Sequence, residues 1–244
     1  MANNANKRKT VGLHVKAMHK KSLDKQRNQT RVNMGVAFQR WRTEGPKGPQ
    51  KRLIAAVFLL ESVYTMPERG GGLGGFAQIT DCLYIGNGKT ANNSSVISSL
   101  NITCIINATQ DIRNLNIPTI DYMHVSVSDD PESRLTEHFD TVADKIQQVS
   151  DEHGRVLVHC NAGVSRSATL CLAYLMKHCH LTLAEAHLRL KAQRPIVRPN
   201  SGFWRQLIEY EWKLHGKNTV RMINSPVGHI PDLYERETRG LIPL

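Results

Sequence analysis

The chain has 244 residues and a formal charge of +11, from 32 Lys and Arg against 21 Asp and Glu. With 40% hydrophobic and 22% charged residues it has the composition of a soluble globular protein, which excludes a chain disordered throughout and a membrane-embedded one. A strongly basic balance ordinarily points to nucleic acid or an anionic membrane, but here the charge is not spread evenly.

Residues 1–52 hold 14 Lys and Arg against Asp24 and Glu44, a charge of +12, which leaves −1 for residues 53–244. This leader has few large apolar residues and no sustained period, and it ends in the turn-rich Gly45-Pro46-Lys47-Gly48-Pro49. It reads as a disordered or loosely helical basic arm. A mitochondrial presequence would be richer in Ser and poorer in Lys. A nucleic-acid arm would carry more aromatic interleaving than Phe38 and Trp41 supply, so nucleic acid is not expected as a partner. Residues 53–60 are all apolar, but eight is far short of the ~20 needed to span a bilayer, and no transmembrane segment is expected. The glycines of 69–75 form a flexible joint. The expected organisation is a leader over 1–74, a folded domain over 75–216, and a tail over 217–244 that packs on the domain or follows it.

Beyond the joint, strand and helix alternate. Residues 102–107 are β-branched and short, the pattern of a buried strand, and 122–127 alternate as a second strand. Leu135, Phe139, Val142, Ile146 and Val149 mark one face of a helix that ends near Gly154. Residues 155–159 make a third strand, and the nearly all-apolar 168–176 a buried helix. Thr182-Leu183-Ala184-Glu185 is a capping box that opens another helix. Phe203, Leu207, Tyr210 and Leu214 mark the apolar face of a last one. The pattern predicts an α/β fold with a central sheet flanked by helices.

Chemistry concentrates between the third strand and the buried helix, in His159-Cys160-Asn161-Ala162-Gly163-Val164-Ser165-Arg166-Ser167. A strand delivers a cysteine to a tight loop that feeds a helix N-terminus. Backbone N–H groups of such a loop can point inward to hold a tetrahedral oxyanion, and the helix dipole adds positive potential. Arg166 can close the ring with a bidentate fork. The same field lowers the pKa of Cys160 from ~8.5 and makes it a nucleophile at neutral pH. Gly163 gives the backbone room to turn toward the ligand. Displacement at phosphorus also needs an acid for the leaving oxygen. Asp129 or Asp130, on the loop 129–133 after the second strand, can supply it, and Asp129 is preferred. Ser167 can donate to Sγ as the thiolate leaves, and His159 can orient the loop.

These residues resemble the signature H-C-x5-R-S of the cysteine-dependent phosphatases. The ending Ser165-Arg166-Ser167-Ala168 is similar to the dual-specificity members. Ala173-Tyr174-Leu175-Met176 and the segment from Arg194 through Pro195, Pro199, Asn200 and Gly202 to Phe203 resemble two further family motifs. Gly216-Lys217-Asn218-Thr219-Val220 and the stretch 225–232 resemble a small atypical group, that of dual specificity phosphatases fourteen, eighteen and twenty-one. The resemblance covers about 75–244 and not 1–74. It implies the cysteine-dependent phosphatase fold, with a mixed sheet. It also implies hydrolysis of phosphotyrosine and phosphoserine/threonine on proteins through a cysteinyl-phosphate intermediate, without cofactor or metal. Cys160 would be the nucleophile, Arg166 the phosphate clamp, Asp129 the acid and Ser167 the support of the leaving thiolate. Asn161, Ala162, Gly163, Val164 and Ser165 would line the bound phosphate, and Asn200 would brace the loop. Candidate substrates are mitogen-activated protein kinases or related signalling proteins. Lysines inside the loop would favour a phosphoinositide, and none is present; a 5′-RNA triphosphatase would use the basic leader but finds no support in the loop. The five cysteines are odd in number and fit no zinc spacing, which points to free thiols in the cytosol or nucleus. Some members of the group associate with mitochondria.

Overall fold

The computed structural model describes residues 75–225 and 228–235. The expectations for the basic leader, the apolar run 53–60 and the glycines of 70–74 lie outside the described residues. Five strands, β1 (Phe76–Gln78), β2 (Leu83–Asn87), β3 (Cys104–Asn107), β4 (Asp121–His124) and β5 (Val156–Cys160), form one sheet in the order β1-β2-β5-β3-β4. β1 is antiparallel to β2, and every other pairing is parallel. This is the expected mixed sheet flanked by helices.

β5 lies at the centre and all five of its residues are buried. Parallel strands need cover on both faces, and the period of two divides β5 between them. Val156, Val158 and Cys160 join the core built with α3 (Phe139–Asp151), α4 (Arg166–Lys177), α5 (Leu183–Gln193) and α6 (Ser201–His215). Leu157 joins Tyr84 and Ile105 in a smaller core, with Ala91 of α1 (Gly88–Ala91) and Ile97 of α2 (Ser94–Ser99). Eleven of the twelve residues of α4 are buried, which explains why its sequence reads apolar all round.

Several elements differ from their sequence pattern. The alternation through Val127 outlasts its strand, because β4 ends at His124. Its partner β3 stops at Asn107, whose carbonyl takes one last N–H, from Val125 at 2.8 Å. The helix expected from Leu135 opens as a 3₁₀ turn, Leu135–His138, before α3 begins. Its end is a left-handed cap made by His153 (φ 59°), not by Gly154. The N–H of Gly154 reaches Val149 O at 2.8 Å and that of His153 reaches Ser150 O at 3.0 Å, the paired bonds of a Schellman motif. Gly154 is needed for space instead: a Cβ there would lie 2.4 Å from Thr103 Oγ1.

The capping box forms as expected, with Glu185 N donating to Thr182 Oγ1 at 3.3 Å and Thr182 N donating to Glu185 Oε2 at 2.9 Å. Fully buried Glu211 of α6 joins α5 to the tail. It accepts from Leu183 N at 2.8 Å, from Thr219 N at 2.8 Å and from the Thr219 hydroxyl at 2.6 Å. The tail then forms a hairpin of β6 (Met222–Ser225) and β7 (Gly228–Pro231) and a 3₁₀ turn, Asp232–Tyr234. Tyr234 is 2% exposed, with its hydroxyl accepting from Trp204 Nε1 at 3.2 Å and its ring edge-on to Trp204 and His187.

Candidate active site

In an open parallel sheet, ligands bind beyond the carboxyl ends of the strands. There β5 ends at Cys160, and 161–165 turn back into α4. Every outward carbonyl of this loop has a partner. Gly88 N donates to Asn161 O at 3.2 Å, and Arg198 N to Val164 O at 2.8 Å. Arg194, 5% exposed, donates from Nη2 to Ala162 O at 3.0 Å and from Nε to Gly163 O at 2.7 Å. Thr169 donates to Ser165 O from its backbone and its hydroxyl, both at 2.9 Å. A carbonyl held outward turns the N–H of the same peptide inward, so the loop presents a nest of donors.

Gly163 is where that turn requires glycine. Its φ is +69°, and a Cβ there would lie 2.6 Å from Gly86 O and 2.9 Å from Arg194 Nη2. The Cys160 Sγ sits in the nest, accepting from Gly163 N at 3.3 Å and lying 3.3 Å from Ser167 Oγ. Burial pushes the thiol up, but the Ser167 hydroxyl, with the N–H groups of Ser167, Val164 and Gly163, outweighs it and holds the pKa below the ordinary value. The contrast within the fold is plain: burial pushes Cys104 up to about 12 and also raises Cys171 and Cys179. Burial also lowers His159 to about 4, so its ring is neutral at physiological pH, and its carbonyl accepts from Ala108 N at 2.8 Å.

Arg166 opens α4 and is 5% exposed. Its Nη1 donates to Val127 O at 3.0 Å, which fixes the guanidinium, while its buried Nε makes no hydrogen bond. Asp129 lies over the loop. Its Oδ2 is 3.6 Å from Arg166 Nε, and its Oδ1 accepts from the Ser165 hydroxyl at 2.7 Å and from Asn200 Nδ2 at 3.0 Å. The neighbouring Asp130 serves its own turn instead, accepting from Glu132 N at 2.8 Å. Asn200 touches the loop through its backbone, whose N–H donates to Ser165 Oγ at 3.2 Å, while its side-chain oxygen caps α6 through Phe203 N at 2.9 Å. Its contact with the loop is made by the main chain, while the side-chain amide is committed to Asp129 and the cap.

Cys160, Arg166, Asp129, Ser167, Asn200 and the loop 161–165 thus meet at one strand end. Sequence reasoning gave no role to Arg194 or to Gly202. A Cβ on Gly202 would lie 1.8 Å from Pro131 O, so the acid loop rests directly on the start of α6. Pro195 after Arg194 marks a helix end, but only the fold shows that the guanidinium turns back onto the loop. Among the described residues, no three His, Cys, Asp or Glu side chains converge as a metal would require, and no helix is long and apolar enough to cross a membrane.

Comparison with known proteins agrees with this geometry. Residues 83–213 match the family model "Dual specificity phosphatase, catalytic domain". Dual specificity protein phosphatase 14 of Homo sapiens is 54% identical over 173 residues, which cover 71% of this chain and 87% of that protein. Dual specificity protein phosphatase 18 of Homo sapiens is 56% identical over 170 residues, covering 70% and 90%. Among solved structures, human DUSP28 superposes with a TM-score of 0.56 at 31% identity over 58% of this chain and 95% of that one. A mouse putative dual specificity phosphatase complexed with zinc tungstate gives 0.57 at 32% identity, over 62% and 95%.

Proposed function

The chain belongs to the dual specificity phosphatase catalytic-domain family, and from that premise we propose how its residues divide the work and on what they act. It is a dual-specificity protein phosphatase whose substrates are phosphorylated proteins. The observation that carries the assignment of roles is the Cys160 thiol, lowered in pKa among the Ser167 hydroxyl and the N–H groups of Gly163, Val164 and Ser167.

In the first step Sγ of Cys160 attacks phosphorus, and the bond from phosphorus to the ester oxygen breaks. Asp129 gives its proton to that oxygen, so the alcohol or phenol leaves neutral. The inward N–H groups of 161–166 and the Arg166 fork hold the three remaining oxygens, whose charge is spread in the transition state. In the second step water attacks the cysteinyl phosphate, Asp129 takes its proton, and the sulfur leaves as thiolate. Ser167, 3.3 Å from Sγ, stabilises that thiolate. Tungstate, bound by the mouse neighbour, has the tetrahedral shape that such a ring would hold.

The substrates we infer are mitogen-activated protein kinases or related signalling proteins, on the strength of the family likeness. We infer the cytoplasm or nucleus from its five free cysteines, and mitochondrial association only from the likeness to a group some of whose members associate with mitochondria. A phosphopeptide panel that includes kinase activation-loop sequences tests the substrate. The wild type should turn over doubly phosphorylated activation-loop peptides faster than unrelated ones, and Cys160→Ser should bind them without turnover. Turnover by Cys160→Ser would remove the nucleophile assignment, and indifference to the peptide would remove the kinase assignment.

A further inference from the structure

We propose that Ser165 is a positioning residue for the acid: its hydroxyl latches the Asp129 loop over the phosphate loop and leaves Oδ2 as the oxygen that delivers the proton. The proposal rests on Asp129 being the general acid.

Ser165 stands at the N-cap of α4 yet makes no capping bond with its side chain. A serine there ordinarily accepts from an N–H of the first turn. This one is turned the other way, and its hydroxyl donates to Asp129 Oδ1 at 2.7 Å. The direction of that bond follows from its other partner. Asn200 N–H donates to the same Ser165 oxygen at 3.2 Å. A hydroxyl has one proton, and a carboxylate oxygen offers a lone pair, so the proton points at Asp129. Ser165 is 7% exposed, so water competes poorly for either bond.

Asp129 Oδ1 therefore accepts from two donors, the Ser165 hydroxyl and Asn200 Nδ2 at 3.0 Å. A proton carried on Oδ1 would have to displace one of them. Oδ2 has no such donor and lies on the side of Arg166, 3.6 Å from Nε, where the phosphoryl group is held. The proton rides on Oδ2 and passes to the ester oxygen as the bond to phosphorus breaks. The carboxylate that results has its growing charge met at Oδ1 by two donors already in place. Hydrogen bonds to an ionised acceptor are stronger than to a neutral one, so the latch tightens as the proton leaves. The cap that Ser165 forgoes is exchanged for that tightening.

The test compares two aryl phosphates on the full-length protein, one with a strongly acidic phenol as leaving group and one with unsubstituted phenol. A poor leaving group depends on the acid and a good one hardly does, so the ratio of their kcat/KM values, which cover only the steps up to departure of the alcohol, reads the acid alone. Ser165→Ala should raise the ratio about tenfold, part of the 10²–10⁴-fold that a general acid contributes. Asn200→Ser keeps a capping side chain for α6 but loses Nδ2, and it should move the ratio the same way. In an Asp129→Ala background, Ser165→Ala should add nothing further to the ratio. The proposal is overturned by an unchanged ratio in Ser165→Ala and Asn200→Ser, or by an equal effect of Ser165→Ala with and without Asp129. A wild-type ratio in Asp129→Ala alone would instead remove the acid assignment beneath it, independently of Ser165.

Discussion

Replacing Arg194 with Lys keeps a buried positive charge and gives up the fork. The two bonds lost or shared are those from Nη2 to Ala162 O at 3.0 Å and from Nε to Gly163 O at 2.7 Å. These carbonyls belong to the same peptide groups as the N–H of Gly163 and the N–H of Val164, two of the donors that hold the Cys160 thiol down. A lysine ammonium reaches one carbonyl, and the other is left buried without a partner, at a cost of about 1–3 kcal/mol. A domain's stability of about 5–15 kcal/mol survives that loss, so the variant folds. The loop recovers the penalty only by rotating that peptide out of its present orientation, which carries its N–H away from the bound phosphoryl group. At about 1.4 kcal/mol per factor of ten, inorganic phosphate and orthovanadate should then inhibit roughly 5- to 150-fold more weakly. The assay is competitive inhibition of aryl phosphate hydrolysis, with thermal melting run in parallel. A melting temperature that falls while both inhibition constants stay at the wild-type value would refute the reasoning, since Arg194 would then support the fold and not the nest.

Four further outcomes rest on contacts within the folded domain. Because its pKa is lowered, Cys160 stays thiolate to a lower pH than a free thiol, so its alkylation by iodoacetate should titrate below ~8.5, and Ser167→Ala should move the midpoint up. Hydrogen bonds from Lys177, then Lys213 and Tyr210, hold the Asp140 carboxyl well below the usual range. That stabilisation is present above the unfolded carboxyl's ~3.9 and is lost as pH falls through the lower folded value, so the melting difference between wild type and Asp140→Asn should shrink in acid. Gly202→Ala should gain a little helix propensity yet slow poor leaving groups about tenfold or more, because its Cβ would lie 1.8 Å from Pro131 O and must shift the acid loop; unchanged kinetics would show that the loop yields freely. Removing residues 1–74 should leave aryl phosphate turnover largely intact, since every side chain placed at the site lies beyond them.

The sequence showed the centre of the molecule better than its margins. The central strand and the buried helix were legible because their apolar runs have the lengths that a covered parallel strand and a core helix need. β5 itself spans Val156–Cys160 and α4 spans Arg166–Lys177, each within two residues of its pattern at either end. Cys160, Arg166 and Ser167 could be read because their spacing is local. β1, β2, the short helices α1 and α2 and the β6–β7 hairpin were missed. β2 carries Gly86 as the fourth of its five residues, where a Cβ would lie 3.1 Å from a Leu157 methyl, so a packing requirement broke the strand pattern. Arg194 was invisible as a loop partner because it acts 31 residues from Gly163, through a contact that only the folded chain creates. The left-handed cap at His153 hid for a related reason: the glycine beside it is there for room against Thr103.

The Tyr234 contact changes where a working fragment of this protein should stop. The family match closes at residue 213, and a fragment cut there would keep every side chain placed at the site. It would strip the cover from Trp204 and His187, leave the indole N–H without the Tyr234 oxygen at 3.2 Å, and deprive Glu211 of Thr219. Arg198, whose guanidinium stacks 4.6 Å over the Tyr234 ring, would lose that support while its N–H still held Val164. Fragments for crystallisation or inhibitor screening that end before residue 234 would therefore report on a looser phosphate loop than the one the cell uses.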